Sequence, residues 1–367
     1  MIYILMFTLS VIFTYCAECA ARRNLKTIMV ICSFIAIMFP CVLAGLRADS
    51  IGTDVSWYVT PYYNIAKQTN SLVEFINGIG IEPIYLTLVY ILSKMTSDIG
   101  TVLFVLQLLV VLPTYITAFR YRKYAPMWLV MWSYYCLFYN YSLSLMRQFV
   151  ACSLILFAFW YLQNKKYKKY IIWGIIASLF HSIAIFPVII LLILKKYQVL
   201  FRSSIMKILV AFTILVVMLN ADSVVKWLVY SANFLPEKYY LRLDARTSEA
   251  GIGIIKTVLL VLLSFIPSIF TYKKQKKNLE LNLSTFLPIL GFITSLGGMV
   301  SSYLIRISYY FIYFYLITVP GLYGSLLIKS PWQKVLINGL FITWLFVFWI
   351  YIFAINNSFE TLPYVFR

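Results

Sequence analysis

The sequence contains little charge and little that could bind a metal. Asp, Glu, Lys and Arg make up only 12% of its 367 residues, and 62% are hydrophobic. A soluble domain has about 25% charged residues. A chain of this composition cannot cover its own surface with polar groups, which excludes a soluble globular enzyme and leaves lipid as its solvent. The chain has one histidine, His181, and no cluster of carboxylates, so it lacks the ligands that a metal site needs.

Basic residues outnumber acidic ones, 31 to 12, but they do not form a nucleic-acid-binding pattern. The sequence has no basic-aromatic RNA-binding signature. The Lys and Arg residues fall mostly in short clusters between apolar segments, which is how the cytoplasmic side of a membrane protein is marked. We therefore expect these clusters inside the cell and no nucleic acid as a partner. The clusters lie at 22–26, 120–123, 165–169, 195–207, 273–277 and 329–334.

Apolar segments follow one another along most of the chain. In lipid every backbone polar group must be satisfied within the protein, which makes helices the expected structure. The segments run near 2–18, 27–45, 99–119, 126–143, 148–163, 205–221, 253–272, 284–304, 307–328 and 335–355. The predicted fold class is all-α, a polytopic integral membrane protein with about 10–13 transmembrane helices, the first of them retained. No internal repeat or linker divides it, so residues 1–367 are predicted to form a single transmembrane domain.

Two further apolar segments fit a simple crossing poorly. Residues 83–95 give only about 18 Å of helix, and residues 170–194 have basic clusters at both ends. We predict that both are re-entrant, the second as a hairpin of two half-helices that turns near His181. If both crossed once instead, the clusters at 120–123 and 165–169 would lie outside, against the positive-inside rule.

The arginines left on the outer side are candidate site residues. Two long loops, 46–82 and 222–252, face outward in the preferred topology. Arg47 opens the first loop, Arg147 lies in a polar patch at a helix end, and Arg306 lies between two spans. Each arginine also has a purely structural interpretation. Arg47 could form an ion pair with Asp54 that fixes a turn, and an arginine near a span end, such as Arg147, could extend to the membrane interface. Arginine forks also match phosphate oxygens, so together they indicate a lipid-borne phosphate or pyrophosphate, or the gating pair of a transporter.

His181 and Glu82 are the candidates for a general base. Glu82 directly precedes Pro83 and the short segment. A low-dielectric cavity there would raise the pKa of Glu82, although an acid at a helix start is also an ordinary cap. A lone histidine is often a structural hydrogen-bonding residue, but the position of His181 at the predicted turn favours a functional role.

The order of these residues resembles the EpsG/Wzy-like bacterial polysaccharide polymerases. The stretch R-x4-G-T-D-x3-Y comprises Arg47, Gly52, Thr53, Asp54 and Tyr58. It is followed by Glu82 before Tyr85, Arg147 with Gln148, His181 with Ser182, Arg306 before Tyr309 and Tyr310, and Pro363 with Tyr364. Each match is short, and it is their order and spacing through nearly the whole chain that make the resemblance specific.

The resemblance implies a class-C-type glycosyltransferase fold and polymerisation of O-antigen or exopolysaccharide repeat units. The expected substrate is an undecaprenyl-pyrophosphate-linked oligosaccharide at the outer face of the bacterial cytoplasmic (inner) membrane. Membrane lipid and a chain-length regulator protein are the other expected partners, and no cofactor or metal is expected. Arg47, Arg147 and Arg306 would bind the pyrophosphate. His181, which titrates near neutral pH without help, is slightly favoured over Glu82 as the base.

Other residues of the matched pattern are assigned accompanying roles. Asp54 is expected among the catalytic residues, where it would orient Arg47 or a sugar hydroxyl. Tyr58, Gln148 and Tyr309 are expected to support the site.

Three alternatives to a polymerase stay open at this point. A flippase or transporter of lipid-linked oligosaccharide would need alternating access with internal pseudo-symmetry, and the sequence shows none. An O-antigen ligase-like enzyme differs only in its acceptor, which the sequence does not reveal. A membrane acyltransferase would also use a histidine in the membrane, so His181 alone does not exclude it.

Overall fold

The computed structural model describes residues 1–199, 203–220, 279–299, 302–325 and 330–367, with four isolated positions at 223, 258, 259 and 262. Within these residues the fold is all-α, as predicted. They contain no β-strand, and the one extended pairing among them is an isolated antiparallel bridge between Arg47 and Phe366. The chain is a multi-pass membrane protein built of apolar helices.

The α-helices of the described residues are numbered in chain order. They are α1 Ile2–Arg22, α2 Lys26–Leu46, α3 Thr60–Gln68, α4 Leu72–Ile79, α5 Pro83–Met95, α6 Ile99–Tyr121, α7 Met127–Tyr134, α8 Asn140–Ser144, α9 Met146–Gln163, α10 Tyr167–Phe180, α11 Ile185–Lys196, α12 Ser204–Leu219, α13 Leu279–Ser295, α14 Ser302–Ile312, α15 Tyr315–Ser325 and α16 Pro331–Trp349. Three π-helical segments, Val55–Val59, Tyr135–Tyr139 and Ile350–Ile355, adjoin α3, α7 and α16.

Five of the described helices are long and apolar enough to cross a membrane. They are α1, α2, α6, α9 and α16 with its π-helical extension. Their positions confirm the segments predicted near 2–18, 27–45, 99–119, 148–163 and 335–355. The helices α14 and α15 together form a sixth candidate, bent by 42° where they meet.

Other predicted segments differ in detail. The segment 126–143 is not one regular helix, because a π-helical stretch separates α7 from α8. The segment 284–304 ends early, since α13 stops at Ser295 and a short 3₁₀ turn follows it. The outer segment 46–82 contains α3 and α4 and is therefore largely helical. The segments 253–272 and 222–252 lie outside the described residues, apart from the isolated positions.

The chain divides into two compact units. Unit 1 comprises Met1–Ile185 and Leu327–Arg367, and unit 2 comprises Phe186–Leu326. Within unit 2, α13 packs against α12 and α14. Within unit 1, α1 packs on α2, α2 on α6, and α6 and α10 on α9. All candidate residues except Arg306 and Tyr309 belong to unit 1.

One end of unit 1 carries three of the basic clusters. Glu18 near the end of α1 accepts a hydrogen bond from Met127 N at the start of α7, at 2.9 Å. Arg120 near the end of α6 donates to the Tyr161 hydroxyl near the end of α9, at 3.2 Å. Lys169 near the start of α10 lies over the same ring, 5.8 Å from its centroid. The clusters at 22–26, 120–123 and 165–169 therefore share one end, named the basic end, which agrees with the preferred topology.

The opposite end of unit 1 is named the site end and carries Arg47, Glu82 and Arg147. Helix α5 begins directly after Glu82, which pairs with Arg147 at the start of α9. Helix α5 ends at Met95, and Asp98 follows three residues later. Asp98 pairs with Arg367, whose backbone N–H donates to Leu46 O. Both ends of α5 therefore lie at the site end. Helix α5 is not a span, as its 13 residues predict.

Candidate active site

The centre of the candidate site is an ion pair between the first turns of two helices. Arg147 is the second residue of α9, and Glu82 directly precedes Pro83, the first residue of α5. Arg147 Nη1 donates to Glu82 Oε2 at 2.6 Å, and the two side chains are only 22% and 14% exposed. Because such a pair is largely out of water, salt screens it less than an exposed pair. The pair therefore fixes α5 to the start of α9.

A third segment reaches the same carboxylate. Helix α10 ends at Phe180 because His181 adopts an extended backbone, with φ −153° and ψ 109°. The backbone N–H and the hydroxyl of Ser182 then approach Glu82 Oε1, at 3.3 and 3.4 Å. His181 also interacts electrostatically with the Glu82 carboxylate. The helix break predicted near His181 and Ser182 is confirmed, while the hairpin arrangement of the two halves stays a prediction.

The pKa of the Glu82 carboxyl is lowered in the structure. Burial by itself would raise this pKa, but the charge of Arg147, backbone N–H donors and His181 together outweigh it. The expected raised pKa is therefore wrong, because that expectation considered the low dielectric and not the neighbouring guanidinium. A carboxylate that is ionised and paired is a poor proton acceptor at neutral pH. The lowered pKa counts against Glu82 as a general base. The role of His181 stays a prediction.

Tyrosine rings surround the Arg147 guanidinium. Its central carbon lies 5.6 Å from the ring centroid of Tyr58 and 5.3 Å from that of Tyr85, within cation–π range. The Tyr62 ring lies 6.1 Å from the Tyr58 ring. Burial raises the pKa of Tyr62, and the nearby charge of Arg147 opposes that rise. The sequence analysis assigns Tyr58 to the site. It includes Tyr85 in the matched pattern without giving it a role, and it misses Tyr62, which lies four residues after Tyr58.

A tight turn holds Asp54 beside this cluster. The Thr53 hydroxyl and the Ser144 hydroxyl lie 2.8 Å apart, and Asp54 N lies 3.4 Å from the same Ser144 oxygen. Gly52 has φ +91°, and a Cβ placed on it would lie 2.7 Å from Leu143 O. Only glycine fits this conformation and this space. The glycine of the R-x4-G-T-D stretch therefore seats the stretch on the turn between α8 and α9.

Arg47 lies in a separate, closed environment within unit 1. Its side chain is fully buried, and Nη2 donates to Leu143 O at 2.8 Å and lies 3.3 Å from Met146 Sδ. Burial lowers the pKa of Arg47 to about 10, so it remains charged at neutral pH. Asp54 makes no hydrogen bond to Arg47, because Nε and Nη1 have no hydrogen-bond partner. A role for Asp54 at a sugar hydroxyl stays a prediction.

The remaining candidates lie farther along the chain. Gln148 is buried on α9 next to Arg147. Arg306 and Tyr309 lie inside α14 of unit 2, three residues apart and therefore on one face of that helix. The predicted boundary at 305–306 falls inside α14, and Arg306 lies at the start of the bent candidate span, which begins at Ile305. Its contribution to a shared pyrophosphate site stays a prediction.

The cluster in unit 1 offers two chemical capabilities. Arg147 presents positive charge within an aromatic setting, and His181 offers an imidazole that can take a proton. Among the residues that the structure describes, no group of three or more His, Cys, Asp or Glu is arranged to hold a metal ion. This arrangement is suited to neutralising an anion and removing a proton.

The comparison with known families agrees with this pattern. The model of the EpsG family matches residues 30–366. The chain belongs to the EpsG family. No curated protein and no solved structure matches it. The EpsG family is bacterial, and membership points to polysaccharide biosynthesis by a polymerase-type activity. The matched range includes every residue of the candidate site, from Arg47 to Tyr309.

Proposed function

We propose that this EpsG-family chain is a glycosyltransferase that polymerises lipid-linked oligosaccharide repeat units. The donor is the growing glycan on undecaprenyl pyrophosphate, and the acceptor is an incoming lipid-linked repeat unit. The reaction takes place at the outer face of the bacterial cytoplasmic membrane, on a fold of the class-C type. The convergence of Arg147, Glu82 and His181 at the site end of unit 1 is the observation that carries the proposal.

The reaction needs one bond exchange and one proton transfer. An acceptor hydroxyl oxygen attacks the anomeric carbon of the donor sugar, and the bond from that carbon to the pyrophosphate oxygen breaks. The electrons of that bond leave with undecaprenyl pyrophosphate, and the hydroxyl proton goes to a base. His181 is assigned as the base and Arg147 as the cation that stabilises the departing pyrophosphate.

Glu82 is assigned a positioning role in this mechanism. It holds the Arg147 guanidinium at 2.6 Å and accepts hydrogen bonds from Ser182 next to His181. One carboxylate thereby sets the distance between the cation and the base. Asp54 is assigned the role of holding a sugar hydroxyl, with Tyr58 and Gln148 as supporting side chains. Arg47 is proposed as a further pyrophosphate ligand. The same role for Arg306, supported by Tyr309, is implied by the resemblance alone, because both residues lie in unit 2.

The tyrosines around Arg147 also support a sugar substrate. Tyr58 and Tyr62 carry a hydroxyl on a flat apolar ring, and such amphipathic rings suit ligands that have both apolar and hydroxyl-bearing faces. Tyr58 is 40% exposed and Trp57, its neighbour, is 75% exposed. Rings are therefore accessible beside the ion pair.

The decisive experiment is polymerisation by purified protein in lipid nanodiscs supplied with lipid-linked repeat units. We expect Arg147→Ala to abolish chain extension, with glycan length read on a gel. Arg23→Ala is the matched control, since it removes the same group from an exposed position at the basic end, and we expect it to retain activity. Normal long chains from a folded Arg147→Ala protein would remove Arg147 from the site and overturn the proposal.

Deletion of the gene separates polymerisation from translocation in the cell. A polymerase mutant should still display single repeat units on the cell surface but no long chains. Loss of all surface sugar would instead indicate a flippase of the same lipid-linked substrate.

A further inference from the structure

Arg47 is a buried cation without a bound counter-anion. Its side chain is fully buried, and of its three guanidinium nitrogens only Nη2 has hydrogen-bond partners. Among the groups that act electrostatically on Arg47, Asp49 is the carboxylate, and no hydrogen bond joins it to Arg47 Nε or Nη1. Burying a charge without full compensation is costly. A folded protein that keeps such a group has a use for its unoccupied donors.

The segment that runs beside Arg47 is residues 357–367, named the strap. Phe366 pairs directly with Arg47 in the isolated bridge. On either side of that pair, Ala48 N donates to Val365 O at 2.9 Å and Arg367 N donates to Leu46 O at 3.0 Å. The strap therefore lies across the end of α2 as a short extended segment.

Side chains anchor the strap at further points. The Tyr3 hydroxyl donates to Thr361 O at 2.8 Å, and Asn140 Nδ2 donates to Thr361 Oγ1 at 3.0 Å. The Tyr364 hydroxyl donates to Leu43 O at 2.7 Å. Thr361 is fully buried, so the start of the strap is held firmly.

The part of the strap that lies over Arg47 is held less firmly. Val365 and Phe366 are 47% and 56% exposed. The ion pair between Arg367 and Asp98 spans 2.7 Å, but its side chains are 32% and 54% exposed, and such surface pairs contribute little. Residues 365–367 can therefore lift while Thr361 and Tyr364 stay in place.

We propose that Arg47 is an anion subsite which the strap closes in this structure, and that it binds a phosphate-bearing ligand when residues 365–367 lift. Arginine is the side chain best suited to phosphate oxygens, and two of the three guanidinium nitrogens are free to donate. The identification of that ligand as the lipid pyrophosphate of a repeat unit rests on the proposed function. Arg147 and Arg47 then bind phosphate groups at the same end of unit 1.

Locking the strap tests this subsite. Ala48 lies opposite Val365 in the antiparallel pairing and donates to its carbonyl. The α-carbons of such a hydrogen-bonded pair are about 5.5 Å apart, which is within disulfide reach. The double variant Ala48→Cys, Val365→Cys can therefore be cross-linked. We expect oxidation to weaken binding of undecaprenyl pyrophosphate to the protein in nanodiscs by about tenfold or more, because it removes the binding-competent fraction. Reductant should restore binding. Each single variant, treated with oxidant, controls for the six native cysteines.

Ligand arms and a second variant complete the test. Inorganic pyrophosphate and phosphatidylglycerol vesicles serve as separate probes beside undecaprenyl pyrophosphate. If the disulfide lock weakens binding of all three probes, Arg47 is a general phosphate site. If it weakens only binding of undecaprenyl pyrophosphate, Arg47 is a substrate site. Arg47→Met, which keeps the bulk and removes the charge, should weaken binding similarly without lowering the melting temperature. Unchanged binding in both the locked protein and folded Arg47→Met would overturn the subsite. Loss of binding on Arg147→Ala alone would leave the proposed function intact.

Discussion

Arg147 Nη1 lies 2.6 Å from Glu82 Oε2, and the same carboxylate accepts hydrogen bonds from Ser182. One acidic side chain thus connects the start of α9, the start of α5 and the end of α10. Removal of the carboxylate charge would leave a mostly buried guanidinium without its partner. The consequences differ for stability and for catalysis, so they are tested separately.

The Glu82→Gln variant should be less stable than the native protein at neutral pH. Leaving a buried charged partner unsatisfied costs about 1–3 kcal/mol. In the folded state the pKa of Glu82 is below its ordinary value. The Glu82 carboxylate therefore stabilises the fold fully at pH values above its ordinary pKa, and this stabilisation is lost as the pH falls through the lowered, folded-state pKa. The melting-temperature gap between the two proteins should therefore be open at neutral pH and close in strong acid.

Glu74→Gln is the control for this titration. Glu74 lies exposed on α4, so the same change there should move the melting temperature little at either pH. A gap for Glu82→Gln that stays constant from neutral to strongly acidic solution would show that its charge does not support the fold.

His181 and Ser182 should respond differently to substitution. His181→Asn removes the proposed base, and we expect a loss of about 10²- to 10⁴-fold in the rate of chain extension with lipid binding retained. Ser182→Ala removes one hydroxyl at 3.4 Å from Glu82 but keeps the backbone donor, so the loss should be less than about tenfold. Rate and substrate affinity, measured separately in nanodiscs, distinguish the two roles.

Ser178→Ala provides the reference for these two variants. Its hydroxyl bonds only back to Gly174 O within α10, so activity should be unchanged. Equal losses at positions 178 and 181 would mean that α10 is being disturbed as a whole and that His181 has no special role.

The sequence predicts the long helices well because their physical signal is local. A run of apolar residues flanked by charge requires a helix in lipid wherever it occurs, and α1, α2 and α6 follow that rule. The basic clusters on both sides of residues 170–194 likewise predict the helix break at His181. The π-helical stretch after α7 is not predictable this way, because residues 127–144 are uniformly apolar and aromatic apart from a few small polar groups.

The candidate site was predictable by residue type but not by partner. Once the basic clusters are placed on the cytoplasmic side, Arg47, Glu82 and Arg147 remain as unusual charges on the outer side. Which of them meet depends on packing between segments 65 or more positions apart, and no local pattern encodes that distance. The full burial of Arg47 also runs against the usual exposure of arginine, and it results from a strap more than 300 positions away.

Chelation of divalent metal should leave chain extension unchanged. Magnesium is commonly held by one or two carboxylates together with substrate phosphates, and Glu82 is the carboxylate at the centre of the candidate site. That carboxylate is already bound by Arg147 and Ser182, and the guanidinium supplies the positive charge in place of a metal. Polymerisation by purified protein should therefore be the same with EDTA and with added magnesium; a rate that falls on chelation and returns with the metal would contradict the mechanism.

Gly52→Ala should disturb both stability and activity, and Gly78→Ala should disturb neither. At Gly52 the backbone has φ +91° and a Cβ would lie 2.7 Å from Leu143 O, so we expect a cost of about 1–3 kcal/mol. The displaced turn would also pull Thr53 and Asp54 away from Ser144, which should slow chain extension.

Gly78 lies within α4, where an added Cβ meets nothing within 4 Å. Alanine is the better helix former there, by up to about 1 kcal/mol, so this variant should melt no lower than the native protein. Comparing the two variants shows whether the R-x4-G-T-D turn specifically requires glycine or whether the protein tolerates no glycine replacement. If Gly52→Ala melted and polymerised like Gly78→Ala, the turn would have room to relax, and the placement of Asp54 beside Ser144 would not depend on Gly52.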